Sequence, residues 1–271
     1  MTILIFLSLL AGMFLLPFWW TVISSLKPIP DFLGDLSPLS WKALFPSRVT
    51  LEHYVDIFTR FPLGRFLLNS LIVSAATTVL GLFVNTLGAY SLARFDYPGK
   101  KTFFALVLMT MMMPFEVIVI PLYVVCKYLK ILNTYWALIL PGVAYSMSIF
   151  LLRQVFLEIP TSLEESALID GASWLRILVS IILPLSKAPL VTAALLQFTV
   201  TWNAFFWPLV AVSSKQLVVY QVGIVFFKNE NIPSWGSLFA ASTVGMLPVL
   251  VLFLCLQRYY IQGVSLTGLK E

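Results

Sequence analysis

The chain has 271 residues, of which 60% are hydrophobic and 11% charged, against roughly 45–50% and about 25% in a soluble globular domain. Its mean hydropathy of +0.95 excludes a large water-soluble core, because soluble helices keep a polar face. The net charge of +5 and pI of 9.2 fit loop cations beside lipid headgroups, so membrane lipid and no nucleic acid is the expected partner.

A helix rising about 1.5 Å per residue needs about 20 apolar residues to cross roughly 30 Å of hydrocarbon. Six segments qualify: 3–23, 66–93, 102–126, 131–152, 188–214 and 231–257. The expected architecture is therefore all-α: a polytopic membrane protein with six transmembrane helices, forming one domain over 1–271, with a polar loop 153–187 between spans four and five. The first span has no basic leader and no clear cleavage site, and it ends in Phe18-Trp19-Trp20, an interfacial anchor. It is read as retained.

The loop after it carries Pro28, Pro30, Pro38 and Pro46, which predicts extended, irregular chain in its first half. Further on, Leu51, Tyr54, Val55 and Phe58 recur at helical spacing and predict an amphipathic helix lying on the membrane. His53 is isolated there, and no ligand role is expected of it. In the second span Gly81 and Gly88 lie on one helix face and favour close helix packing. The third span holds the one charged residue within the six segments, Glu116, two residues after Pro114. Two readings stay open: a partner for backbone groups freed by the proline, or a side chain of the transport path. Trp202, Asn203 and Trp207 in the fifth span likewise fit either sugar recognition or membrane anchoring and helix packing.

The segment 153–187 has the clearest local grammar. Pro160 stops the preceding helix. Thr161 with Glu164, and Ser162 with Glu165, match the capping-box spacing, so a short acidic helix starts there. Asp170-Gly171 supplies its left-handed end. A second helix begins near Ser173 and carries Trp174, Leu175, Leu178 and Ile182 towards Pro184. Ser166 and Ala167 are small, which lets another protein approach the backbone. Since charged, non-helical chain is kept out of hydrocarbon, this elbow lies at a water-facing surface. Lys and Arg cannot say which one: eight fall on one side of the membrane and nine on the other.

Chemistry-bearing constellations are missing from the sequence. Cys126 and Cys255 are far apart and offer neither a metal spacing nor a disulfide framework. Gly99-Lys100-Lys101-Thr102 lacks the upstream glycine and the residue order of a phosphate loop. No catalytic residue, metal or bound cofactor is expected, and the chain is not read as an enzyme. An ion-coupled secondary transporter is the alternative; it would need intramembrane acids or broken helices at repeat-related positions, and a lone Glu116 opposes it.

Glu165, Ala167, Gly171, Ile181, Leu183 and Pro184 stand at the spacing of Glu-Ala-Ala, three residues, Gly, nine residues, Ile-x-Leu-Pro, with Ser166 for the middle alanine. The chain thereby resembles the permease subunits of bacterial ATP-binding cassette importers. Asn69-Ser70, Ala89 to Phe95, Met113-Pro114-Phe115-Glu116 and Trp202 to Leu209 narrow the resemblance to the maltose-permease-like, carbohydrate-uptake branch. The resemblance implies a heterodimer with a second homologous permease, two cytoplasmic ATPase subunits that hold the ATP and Mg, and a solute-binding protein outside an inner membrane. It also implies cytoplasmic termini and import of a sugar, oligosaccharide or polyol. Glu165, Ser166, Ala167, Asp170, Gly171 and Pro184 would then form the coupling element that docks on the ATPase. The absence of Lys and Arg from the six spans favours a neutral solute.

Overall fold

A computed structural model describes residues 1–36, 41–46, 48–225 and 235–267, with backbone alone for 33, 36 and 258–267. All elements among them are helical. In chain order the α-helices are α1 (Thr2–Ser25), α2 (Ile29–Leu36), α3 (Glu52–Thr59), α4 (Leu63–Arg94), α5 (Lys100–Met112), α6 (Phe115–Tyr128), α7 (Tyr135–Val143) and α8 (Ser146–Glu158). They continue as α9 (Ser162–Ile169), α10 (Trp174–Ile177), α11 (Leu183–Leu185), α12 (Lys187–Trp202), α13 (Phe206–Ala211), α14 (Tyr220–Val225) and α15 (Trp235–Thr267). Four spans are long and apolar enough to cross a membrane as they stand: α1, α4, α7 with α8, and α15 as far as Gln257; two sharply bent helix pairs raise the number to six.

Proline chemistry accounts for the departures from six straight rods. The third span breaks at Met113, whose backbone is extended (φ −78, ψ 122) because it precedes Pro114, and α5 and α6 meet at 110°. The fourth span contains Pro141 and opens at Ala144 and Tyr145, both extended. The fifth span, expected to run through 188–214, ends its first helix at Trp202 and restarts at Phe206, with Pro208 in the new first turn where a missing N–H costs least. The first four residues of the expected sixth span, 231–234, and the tail beyond 267 lie outside the described residues.

The chain packs as two units. One comprises 1–69 and 218–250. There the predicted irregular loop is instead partly helical: Pro28 and Pro30 sit at the start of α2, a position that tolerates proline; Pro38 lies outside the described residues. Trp20, Phe32 and Phe239 form a three-way aromatic contact with centroids 5.3–6.2 Å apart, tying α1, α2 and α15. Lys27, 2% exposed, pairs with Asp35 at 2.9 Å and also donates to the Lys42 carbonyl. The Lys27 carbonyl in turn bonds His53 Nε2 at 2.9 Å, so the isolated histidine is a buried loop fastener. α3 buries His53 and Ile57, and its predicted apolar face leaves Leu51, Val55 and Phe58 more than half exposed. Burial pushes the Tyr220 phenol up, keeping it a donor to the Ala241 carbonyl.

The other unit comprises 70–217 and 251–271. Its core joins Ala89, Tyr90 and Ala93 of α4, Leu152 and Phe156 of α8, Ile177, Leu178 and Ile182, and Ala193 of α12. Small residues on α4 and α12 let the larger side chains interlock, which is how apolar helices associate where water supplies no driving force.

Candidate functional site

The segment 153–187 folds as a helix–turn–helix elbow on that core. α9 ends in a left-handed Gly171 (φ +80), with Ala172 N–H on the Ala167 carbonyl (2.9 Å) and Gly171 N–H on the Leu168 carbonyl (3.0 Å). These are the paired bonds of a Schellman stop, as the Asp170-Gly171 step predicts. Ser173 caps the second helix by accepting the Arg176 N–H at 3.3 Å. That helix widens to a π turn over Leu178–Ile182, where Pro184 has no N–H for the Ser180 carbonyl, and turns by 85° into α12 at the buried Ser186.

Neither predicted capping box forms. Thr161 is the N-cap residue but makes no side-chain cap bond. Its backbone is helical (φ −64, ψ −25) where a capping residue is extended, and the Glu164 side chain points inward instead of back to the Thr161 N–H. Its carboxylate takes Arg94 Nε at 2.5 Å and Tyr90 Oη at 3.4 Å, while Arg94 Nη2 bonds the Ile159 carbonyl at 2.7 Å. The two charged side chains are 6% and 4% exposed. A buried charge needs such a partner to be tolerated. Phe95 closes the contact against Trp174 (centroids 5.1 Å) and Tyr90 (5.7 Å). Arg153 bonds the Leu92 carbonyl at 3.2 Å and lies 4.0 Å over the Phe104 ring, so a second arginine holds the same end of α4.

The remaining predicted elbow residues divide by face. Ala167 is half-buried on the core with Ile181 and Leu183. Glu165, Ser166, Asp170, Gly171 and Pro184 are exposed, the Ser166 hydroxyl folding back on the Ser162 carbonyl at 2.9 Å. The elbow also exposes apolar side chains, Leu163 (44%), Leu175 (64%) and Ile169 (86%), the last of them one turn on from Glu165. A rigidly held acidic and apolar surface of this kind can receive a soluble partner carrying a basic residue in an apolar cleft.

Of the residues predicted for a transport path, the two indoles are packed inside the unit. Trp202 is 2% exposed and stacks on Phe198, and Trp207 donates its N–H to the Ala137 carbonyl at 2.8 Å. Asn203 is exposed, with its amide on the Thr199 carbonyl at 2.9 Å. Glu116 is exposed in the first turn of α6 and does not serve as a partner for the backbone opened at Pro114. That duty, in the fourth span, falls to residues the sequence does not single out. Gln197 Nε2 donates to the carbonyls of Gly142 (2.9 Å) and Thr77 (3.1 Å), and Asn85 Oδ1 accepts the Tyr145 N–H at 3.1 Å. Asn85 and Gln197 also bond each other at 3.3 Å. A Cβ on Gly81 would overlap the Gln197 amide, so this glycine makes the close approach possible, whereas Gly88 faces open space. The signal for both amides was their isolation in apolar runs.

Broken apolar spans around a polar elbow define a polytopic membrane protein of the permease kind. The overall fold matches the crystal structure of a bacterial ABC transporter involved in the import of the acidic polysaccharide alginate, with a TM-score of 0.82 and 21% identity over 96% of this chain and 95% of that one. The family described as binding-protein-dependent transport system inner membrane component matches residues 78–266. A probable ABC transporter permease protein of Pyrococcus horikoshii is 34% identical over 92% of this chain and 90% of its own length. The trehalose/maltose transport system permease protein MalG of Thermococcus litoralis is 34% identical over 97% and 94%. The chain belongs to this family of inner-membrane transport components.

Proposed function

We propose that the chain is one permease half of an ATP-driven sugar importer, and that its elbow is where the ATPase takes hold. The observation that carries this reading is the division of the elbow into a face fixed to the core through Glu164 and Ala167 and an outward face with exposed Glu165 and Ile169. Glu165 meets a basic residue of an ATPase subunit, the small exposed Ser166 allows close approach while Ala167 seats the helix on the core, and Asp170-Gly171 and Pro184 fix the angle of the elbow. ATP and Mg sit on two cytoplasmic ATPase subunits. A second, homologous permease completes the pore, and a solute-binding protein delivers the solute from outside a bacterial inner membrane. The elbow and both termini are cytoplasmic.

The solute is a neutral sugar, oligosaccharide or polyol. Trehalose and maltose, named for the Thermococcus litoralis relative, are of that class. An acidic polymer such as alginate, named for the fold neighbour, needs cationic partners, and the six apolar segments of the sequence hold no Lys or Arg. Exposed Asn203 and Glu116 offer an amide and a carboxylate for hydroxyl groups. Trp202 and Trp207, both buried, support the fifth span through Phe198 and the Ala137 carbonyl instead of touching solute. The test is co-purification followed by ATPase assays of the reconstituted complex with its binding protein over neutral sugars, polyols and uronates. Stimulation by neutral sugars is expected. A chain that purifies without an ATPase and transports alone would overturn the reading, and stimulation by uronates alone would overturn the neutral assignment.

A further inference from the structure

The elbow's outward face accounts for docking, but not for how motion leaves it. α9 is only eight residues long and is joined to α8 through Ile159, Pro160 and Thr161. A short helix on such a hinge swings freely unless something fixes it to a span. In this chain Ala167 rests on the core and a charged contact adds the link to a span: Glu164 on α9 and Arg94 at the last turn of α4, 70 positions apart, with the free arm of the same guanidinium on the Ile159 carbonyl. One arginine thus holds both the helix and its hinge.

We propose that the buried Glu164–Arg94 pair is the positioning tie through which the elbow drives the second span. α4 runs for 32 residues from that pair, so displacement of α9 becomes displacement of a whole span. Glu164 and Arg94 are positioning residues: they touch neither solute nor ATPase. Two adjacent glutamates then have separate tasks, Glu165 to hold the ATPase and Glu164 to transmit what the ATPase does. The inference rests on the coupling reading of the elbow above.

The experiment uses the assembled complex in proteoliposomes, with Glu164→Gln, Arg94→Gln and the double variant. Spin labels on cysteines placed at Thr161 and Asp96, both exposed, report the distance between the elbow and the end of α4, in a background lacking Cys126 and Cys255. ATP with vanadate is the probe, so no solute need be known. In the wild type the distance distribution stays narrow in the nucleotide-free and trapped states alike. Each single variant is expected to keep its ATPase subunits and their basal hydrolysis and to broaden the distribution on trapping, with about a tenfold rise in the population outside the wild-type distance range, the size of a typical coupling contact. The double variant should be no worse than either single one, the sign of residues acting as a pair. Loss of the ATPase subunits from the single variants would reduce the pair to a folding contact, and wild-type distances or additive losses would equally overturn the proposal. Failure of the wild-type chain itself to bind ATPase subunits sinks the coupling reading instead.

Discussion

Replacing Gln197 tests whether the break in the fourth span is held by one side chain. Gln197 is 1% exposed, donates to the Thr77 and Gly142 carbonyls at 3.1 and 2.9 Å, and accepts from Asn85 at 3.3 Å. Side-chain hydrogen bonds between membrane helices average about 0.6 kcal/mol and reach about 1.7. Leucine keeps the volume and removes these three contacts and a longer one to the Val143 carbonyl at 3.4 Å, for a loss of about 2 kcal/mol on that average. Glutamate is closer in shape but should cost more. Its carboxylate has no donor for the carbonyls it faces, and its protonated form has one where the amide has two. The assay is thermal unfolding of the purified complex, followed by fluorescence-detected gel filtration. At roughly 2–4 °C per kcal/mol, Gln197→Leu should melt about 4–8 °C below wild type, and Gln197→Glu lower still. A leucine variant that melts with the wild type, or a glutamate variant more stable than leucine, would refute the claim that this amide carries the break.

Three further outcomes are expected. Glu165→Lys should insert and melt normally, since the side chain is exposed, yet lose its ATPase subunits by about tenfold or more in pull-down; retention at the wild-type level would make it a mere solvated acid. Gly171→Val forces a β-branched residue to φ +80, at a strain of about 1–2 kcal/mol, and should abolish ATP-dependent uptake while Gly171→Asn retains part of it. Cysteines at Ser173 and Val49, both exposed, should react with impermeant reagent from the cytoplasm and from outside respectively, and the reverse pattern would invert the topology.

The order and apolar character of the membrane segments were legible because crossing a bilayer imposes a length and a composition that survive in any register; four cross as they stand, and six only if each bent pair is one span. The breaks were legible only in part. Pro114 and Pro208 marked where a helix could fail, but whether it kinks or stops depends on what receives the freed backbone groups, and Asn85 and Gln197 lie 60 and 55 residues from the groups they serve. The first loop departs from its expected irregular course for a related reason. Four prolines suggested irregular chain, yet two stand at the start of α2, where the first N–H groups have no helical partner in any case. His53 looked idle because its partner is a backbone carbonyl 26 residues away, which no side-chain motif records.

The elbow shows why a signature can be recognised before its residues can be assigned. Thr161 with Glu164 and Ser162 with Glu165 are the same local pattern one position apart, and a capping rule cannot choose between them. One residue of helix phase is about 100° of rotation, enough to send one carboxylate into the core and the other to the surface. The phase is set from outside the motif: Arg94 offers a buried cation that only one glutamate can reach, and Ala167, three residues on from Glu164, falls on the same inward face. Small residues at 166 and 167 therefore face two ways, Ala167 towards the core and Ser166 outward. A motif read as a docking sequence is a two-sided joint, and the side that fixes it to the permease is written partly in the last turn of the second span.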